Sequence, residues 1–317
     1  DALVLLEAED LHLVRRARDS VKDKMLSLGD ELPADFYRTE TALRETAAIL
    51  RVDFAFVISS FEEMLLREEF GIGPEQVKWI PFFYDQALLD SPKTFTERNG
   101  FVWIGNFRHP PNLDGLRWFR TEIWPLIRKK IPTAKLKIFG AYLTEEVTQW
   151  HKPEQGVEVK GSVQELETVF DSARVNLAPL RSGAGIKGKI IEGFRRSVPC
   201  VTTKIGTEGM APPGKINFGA LEANSVEAFA EACVRLHEDA EVWQAASEAG
   251  KHLVETLHSY SAQAEPLKLI FEELAERKKT KSLPSWTAKI LRHELVNSHK
   301  YFSKWIEAKE KSKISLV

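Results

Sequence analysis

The sequence predicts an α/β fold built on parallel sheets, and three observations carry that expectation. Short apolar runs of strand character alternate with longer helical patterns through most of the chain, the order expected of βαβ units. The series that begins at Phe101 has five strands with helices between them, enough for a complete doubly wound unit, whereas the segment before it has fewer. From Ser225 onward the pattern is almost entirely helical.

In the first segment, Ala2 to Leu6 and Phe54 to Ile58 read as buried strands, with helical stretches at Leu11 to Leu28 and Tyr37 to Leu50 between them. A helix from Phe61 to Phe70 and a short strand, Val77 to Ile80, come next. The stretch from Pro81 to Asn99 carries Pro81, Pro92 and a polar mix, as an interdomain linker does. The second series runs through strands Phe101 to Ile104, Leu136 to Phe139, Val157 to Val159, Val175 to Ala178 and Pro199 to Thr202, with a helix over Leu113 to Lys130. The expected division is therefore 1–98, a partial first domain that looks cut at its start, then 99–258, a whole domain, then 259–317, a helical extension.

The helical extension breaks at Tyr260-Ser261 and at the charged run Glu276 to Lys281. Its last helix spaces Leu291, Leu295, Phe302 and Ile306 along one face, with Trp305 beside them. A helix lying on a membrane surface would show this pattern, and so would one packed across two domains. The mixed-sign polar face favours packing and leaves peripheral membrane contact open.

The chain has 317 residues, 44 Lys+Arg against 46 Asp+Glu and a net charge of -2. That balance argues against nucleic acid as a partner, because neutralising phosphates needs a cationic excess. Cys200 and Cys233 form no disulfide framework and no C-x-x-C pair, so both are expected to be core residues of a cytoplasmic protein. No apolar run approaches the roughly 18 residues of a membrane span. No Asp-x-Asp pair offers a carboxylate-bound metal site.

The most informative stretch runs from Ala178 to Glu192. A strand ends, a turn carrying Gly183, Gly185 and Ile186 follows, and a helix opens with Lys187 and Lys189. Glycines let backbone approach a ligand, and the amides and dipole of a helix start favour an anion. Glu192, on the same helix, is suited to accept hydrogen bonds from ribose hydroxyls while the lysines hold a diphosphate. A tight turn with solvated lysines would give the same pattern. The stretch also matches most of a Walker A loop, but Ile190 stands where the magnesium-binding Ser or Thr belongs, which weakens a P-loop NTPase reading.

A second turn, Gly105-Asn106-Phe107-Arg108-His109-Pro110-Pro111-Asn112, follows the first strand of the complete series, and a third, Thr202 to Gly209 with Glu208, follows the last. In a doubly wound sheet such turns share the carboxyl edge, where ligands bind. His12, just past a strand end, could be an acid, a base or a hydrogen-bond donor, or simply a capping residue.

Together these turns resemble the retaining GT-B glycosyltransferases of the family-4 type, which have two Rossmann-like domains. The likeness lies in Ile104 to Asn112 with Trp124-Pro125, in Val175 to Glu192, in Pro199 to Gly209, and, in the first segment, in Glu9-Asp10-Leu11-His12, Arg44-Glu45 and Arg51 through Ser60. The resemblance implies a hexosyltransferase that takes a nucleotide-diphosphate sugar as donor, needs no metal and no further cofactor, and transfers with retention to a glycan, lipid or protein acceptor. It makes Glu192 the ribose-binding glutamate and Gly183 to Lys189 the phosphate loop, and it brings the backbone from Gly161 to Val163 near the base.

Three departures qualify it. Ala184 stands where the family's E-x7-E pattern has its first glutamate. Asn106 and Pro111 replace an Arg and a Lys, which shifts the expected diphosphate contacts to Lys187, Lys189 and the amides of Gly185 to Lys187. The first domain lacks its opening strands and the glycine-rich loop that faces the donor, so the chain alone could be inactive. A non-catalytic nucleotide or nucleotide-sugar binding module is the competing expectation.

Overall fold

Nine strands form two parallel sheets in the computed structural model, which describes residues 2–21, 32, 34–85, 92–212, 219–280 and 282–314. The first sheet contains β1 (Leu5–Ala8), β2 (Phe54–Val57) and β3 (Val77–Trp79), side by side in that order. Helices α1 (His12–Val21), α2 (Glu40–Arg51) and α3 (Ser60–Glu68) connect and flank them. Strand β1 begins three residues later than Ala2, and the part of the expected first helix beyond Val21 lies outside the described residues. Part of the expected linker, residues 86–91, also lies outside them.

The second sheet holds β4 (Phe101–Ile104), β5 (Leu136–Phe139), β6 (Val157–Gly161), β7 (Val175–Ala178), β8 (Cys200–Thr202) and β9 (Ala220–Glu222). Its spatial order, β6-β5-β4-β7-β8-β9, is doubly wound, and its direction of winding reverses between β4 and β7. Strand β9 was not expected, because Ala220-Leu221-Glu222 is too short and too polar to read as a strand until β8 pairs with it. The helix expected over Leu113 to Lys130 is three pieces: α4 (Pro110–Trp118), a π-helical turn at Phe119–Ile123 and α5 (Trp124–Lys130). Short helices α6 (Glu145–Thr148), α7 (Leu166–Phe170) and α9 (Lys204–Thr207), and the longer α8 (Gly188–Arg195), fill the remaining crossovers.

Buried on both faces, β7 reads Val-Asn-Leu-Ala, and its Asn176 spends Nδ2 on the Lys189 carbonyl at 3.0 Å. That bond ties the start of α8 to the sheet, so the loop between them has little freedom. Ile190, Ile191 and Phe194 of α8 bury into a cluster with Leu180 and Met210.

Helices α10 (Val226–Glu238), α11 (Ala240–Leu257), α12 (Tyr260–Lys279) and α13 (Trp286–Ile314) complete the chain. The tail returns to the first sheet: Ile270 and Leu274 of α12 pack with Phe54 and Ile80. In α13, Ala288 is buried, and Arg292 donates to the Arg51 carbonyl at 2.7 Å and to Asp53 at 2.9 Å. The packing expected of the whole apolar face stops there. Phe302, Trp305 and Ile306 stand exposed at 59%, 56% and 38%, and Leu295 at 37%. The reason is length, since the 12 residues of α2 span about 18 Å while the 29 of α13 span about 44 Å. Among the described residues no helix is long and apolar enough to cross a membrane.

Candidate functional site

The strand order places three turns at one edge. The turn after β4 and the glycine-rich loop after β7 flank the point where the winding reverses, and the turn after β8 lies next to them. Lys189 joins the first two by donating to Asn112 Oδ1 at 2.6 Å, with its ammonium 5.0 Å from the centre of the Trp103 ring. Asn112 Nδ2 in turn donates to the Asn106 carbonyl at 3.1 Å, and Gly105 lies against Trp103 and Asn112. Burial pulls Lys189 down to about 8.

The glycine-rich loop is gripped by the first unit. Glu62, on α3, is fully buried, and its Oε1 accepts from Gly185 N–H at 2.8 Å and from Leu11 N–H at 3.1 Å. Arg18, on α1, donates to the Gly183 carbonyl at 2.8 Å and to Glu208 at 2.7 Å. Ala184 packs on the apolar cluster formed by Leu11, Leu13 and Leu65. Gly185 has φ +62 and sits so close to the first unit that a Cβ would lie 2.5 Å from the Glu9 carbonyl oxygen. Only glycine satisfies both conditions. The third turn docks in the same way: Ser60 N–H donates to the Gly209 carbonyl at 3.1 Å, and Gly209, at φ +73, would drive a Cβ to 2.0 Å from Ser59 Oγ.

Two expectations about this loop need correction. The Gly185 amide, expected to face a diphosphate, is already taken by Glu62, and after it the amides of Ile186, Lys187, Gly188 and Lys189 make no hydrogen bond among the described residues. Nor is Lys187 a solvated first-turn lysine. It is 8% exposed and curls back onto the carbonyls of Ala184 at 3.2 Å and Gly185 at 2.5 Å. Burial lowers its pKa, while the charges of Glu208, Glu62 and Asp10 oppose that effect.

Glu192 is likewise buried, one turn into α8, and pairs with Arg195 at 3.1 Å and with Arg196. Tyr84 lies beside it with its hydroxyl pKa raised, first by burial and then by the Glu192 charge. His12 is 55% exposed at the start of α1, 3.6 Å from Asp10 and 4.0 Å from Glu45. Among the described residues its ring has no hydrogen bond or ion pair to the glycine-rich loop, although Asp10, two residues earlier, lies against Gly185. Val163, half-buried, packs beside Val102 and Phe170 beyond β6. Ile186 is half-buried against the cluster around α8. Among the described residues no group of three or more His, Cys, Asp or Glu is arranged to hold a metal ion.

The sequence reading missed Arg18 and Glu62. Ser59 and Glu62 have the Ser-x-x-Glu spacing of a capping box, which assigns the carboxylate to its own helix. Half of that box forms, with Glu62 N–H donating to Ser59 Oγ at 3.4 Å, but the carboxylate leaves for two amides of other elements. Arg18 gives no local signal, because its partners lie 165 and 190 residues away.

Residues 98–239 match the family described as glycosyl transferases group 1. Those residues resemble a group 1 glycosyltransferase domain. They hold the six-stranded sheet and all three turns. Over 167 residues the chain is 29% identical to an uncharacterized 44.6 kDa protein in the cps region of Klebsiella pneumoniae, covering 48% of this chain and 41% of that one. Among solved structures, S. aureus TarM in complex with fondaparinux, alpha-GlcNAc-glycerol and UDP superposes with a TM-score of 0.57 at 16% identity, over 73% of this chain and 46% of that one. The pneumococcal O-GlcNAc transferase GtfA in complex with UDP and GlcNAc gives 0.55 at 16% identity, over 76% and 48%. The fold is GT-B, with two Rossmann-like units and C-terminal helices. The chain spans less than half the length of these three relatives.

Proposed function

We propose that this chain carries the donor-binding domain and part of the acceptor side of a glycosyltransferase, which moves a hexose from a nucleotide-diphosphate sugar to a glycan, lipid or protein acceptor with retention. The observation that carries this reading is the start of α8. Four successive amides with no hydrogen bond among the described residues, and two lysines, lie at a helix start that follows the switch-point strand β7 in the stretch similar to group 1 glycosyltransferases, and a helix start of this kind stabilises the charge of a diphosphate leaving group. Lys187 and Lys189 would supply charge once phosphate oxygens replace the carbonyl and amide groups they now contact. Glu192 is the proposed ribose contact, and the backbone from Gly161 to Val163 the proposed neighbour of the base. His12 is proposed as a hydrogen-bonding group toward the transferred sugar, placed by α1 at the edge that faces the loop. No cofactor beyond the donor is invoked. Both cysteines are free and buried, which supports a cytoplasmic setting.

The first test is a thermal-shift panel of UDP-, GDP- and ADP-sugars. A ligand at about 100 times its dissociation constant adds roughly 2.7 kcal/mol to stability. Diphosphate affinity should also fall in Lys187→Ala and Lys189→Ala while nucleoside affinity holds, equally with EDTA and with excess magnesium. Strong magnesium dependence would return the loop to a P-loop reading. Ala184, in place of a glutamate and packed on the first unit, favours the second reading, a module that binds nucleotide sugar without transferring it. Product formation by a longer form, absent for this chain, separates the two: product there favours the transferase, and none from either form favours the module.

A further inference from the structure

Arg18 and Glu62 share a geometry that neither local sequence nor ordinary packing requires. One is a buried cation and the other a buried carboxylate, both from the first unit, and each takes a backbone group of the same three-residue stretch of the second. The cation holds the carbonyl of Gly183 and the carboxylate holds the amide of Gly185, so the polarity of the two contacts fixes which way the intervening peptides face. The groups on either side reinforce the grip. Arg18 also takes Glu208 of the third turn and lies over the Phe61 ring, with its guanidinium carbon 5.4 Å from the ring centre, while Glu62 also takes the Leu11 amide that precedes α1. Glu62 Oε2 has no partner although it is buried. A carboxylate carrying that cost of burial is hard to explain as a packing residue, because a methionine of similar volume would avoid it.

We propose that Arg18 and Glu62 act together as positioning residues, clamping the loop so that the free amides of Ile186 to Lys189 form a preset cradle for the donor's phosphates. Two anchored peptides leave the next four amides aimed along the start of α8, with little ordering left to be done when an anion arrives. The clamp is made across the two units, so the donor domain has its phosphate cradle in working form only while the first unit is seated on it. This inference rests on the reading of the loop as a nucleotide-diphosphate site.

The test uses the whole chain with UDP and uridine as probes, together with hydrogen exchange of the loop amides. In the wild type the Gly185 amide should exchange more slowly than those of Ile186 to Lys189. Glu62→Ala and Arg18→Ala should each weaken UDP at least tenfold and change uridine less than twofold, with the Gly185 amide losing its protection in Glu62→Ala. Glu62→Gln keeps an oxygen in the position of Oε1, so it should bind UDP within about threefold of wild type and still protect Gly185, even if the alanine variants fold poorly. Equal losses for UDP and uridine, unchanged UDP affinity in variants that melt cooperatively, or a Gly185 amide as fast as its neighbours would each overturn the clamp. A wild type that binds neither UDP nor any other nucleoside diphosphate would overturn the site reading itself, and the clamp with it.

Discussion

Lys189 donates to the Oδ1 of Asn112 across 2.6 Å, joining the first turn of α8 to the turn after β4 over the switch point of the six-stranded sheet. The contact ties together the two turns of the proposed donor site and keeps an ammonium beside Trp103. Burial lowers its pKa from 10.5 to about 8. Between those values the unfolded chain holds more protons than the folded one, so stability from this group rises with pH across that window and is lowest below pH 8. Lys189→Met should therefore gain on the wild type below pH 8, with the difference closing toward pH 10.5. Denaturant melts of both proteins at pH 7, 9 and 10.5 check it, and a constant difference would remove the claim.

Glu62 titrates with the opposite sign. Its burial, only partly offset by the amides of Leu11 and Gly185, raises the pKa from 4.5 to about 7. The folded state then binds the extra proton, so its contribution is full below pH 4.5 and is lost as pH rises through 7. Wild type should lose stability relative to Glu62→Gln between those values and run parallel to it above them.

Glu192→Ala should do two things. A lost hydrogen bond to a charged group would weaken nucleotide binding by about 1.5 to 3 kcal/mol. The structure adds a cost that the sequence did not show, because the carboxylate is buried between Arg195 and Arg196. Removing one member of such a group destabilises by about 3 kcal/mol or more. Glu192→Gln should keep most of the fold and still lose affinity, and calorimetry alongside thermal melting separates the two effects.

Gly185→Ala combines a positive φ with a Cβ 2.5 Å from the Glu9 carbonyl oxygen. Strain of that kind costs of order 1–3 kcal/mol. The expected result is a lower melting temperature together with weaker diphosphate binding, whereas an unaltered melt would show that the loop can move away from the first unit at little cost.

On α13 the contrast lies between two ends of one helix. Phe302→Ser, at an exposed position, should change stability by no more than about 0.5 kcal/mol. Ala288→Leu, at a fully buried position, should cost about 1–3 kcal/mol if the site is close-packed as protein interiors are. Urea titrations of the two variants decide it.

Much of the second unit is legible in the sequence. Phe101–Ile104, Leu136–Phe139 and Val175–Ala178 are strands at the expected residues, because apolar runs of that length between turn signals have few other places to go. The order of the three turns along the chain also sufficed to place them at one sheet edge and to suggest the family that residues 98–239 match. Local chemistry determines such features, and local chemistry is what a sequence displays. Tertiary structure decided the rest. Whether Ala220–Glu222 is a strand depended on β8 lying beside it, and how far α13 is covered depended on the length of α2. Glu62, read from its own helix, is a capping residue. Only the approach of Gly185, 123 residues away, turns it into an anchor for the loop, because a buried carboxylate takes whichever amides the fold brings within reach.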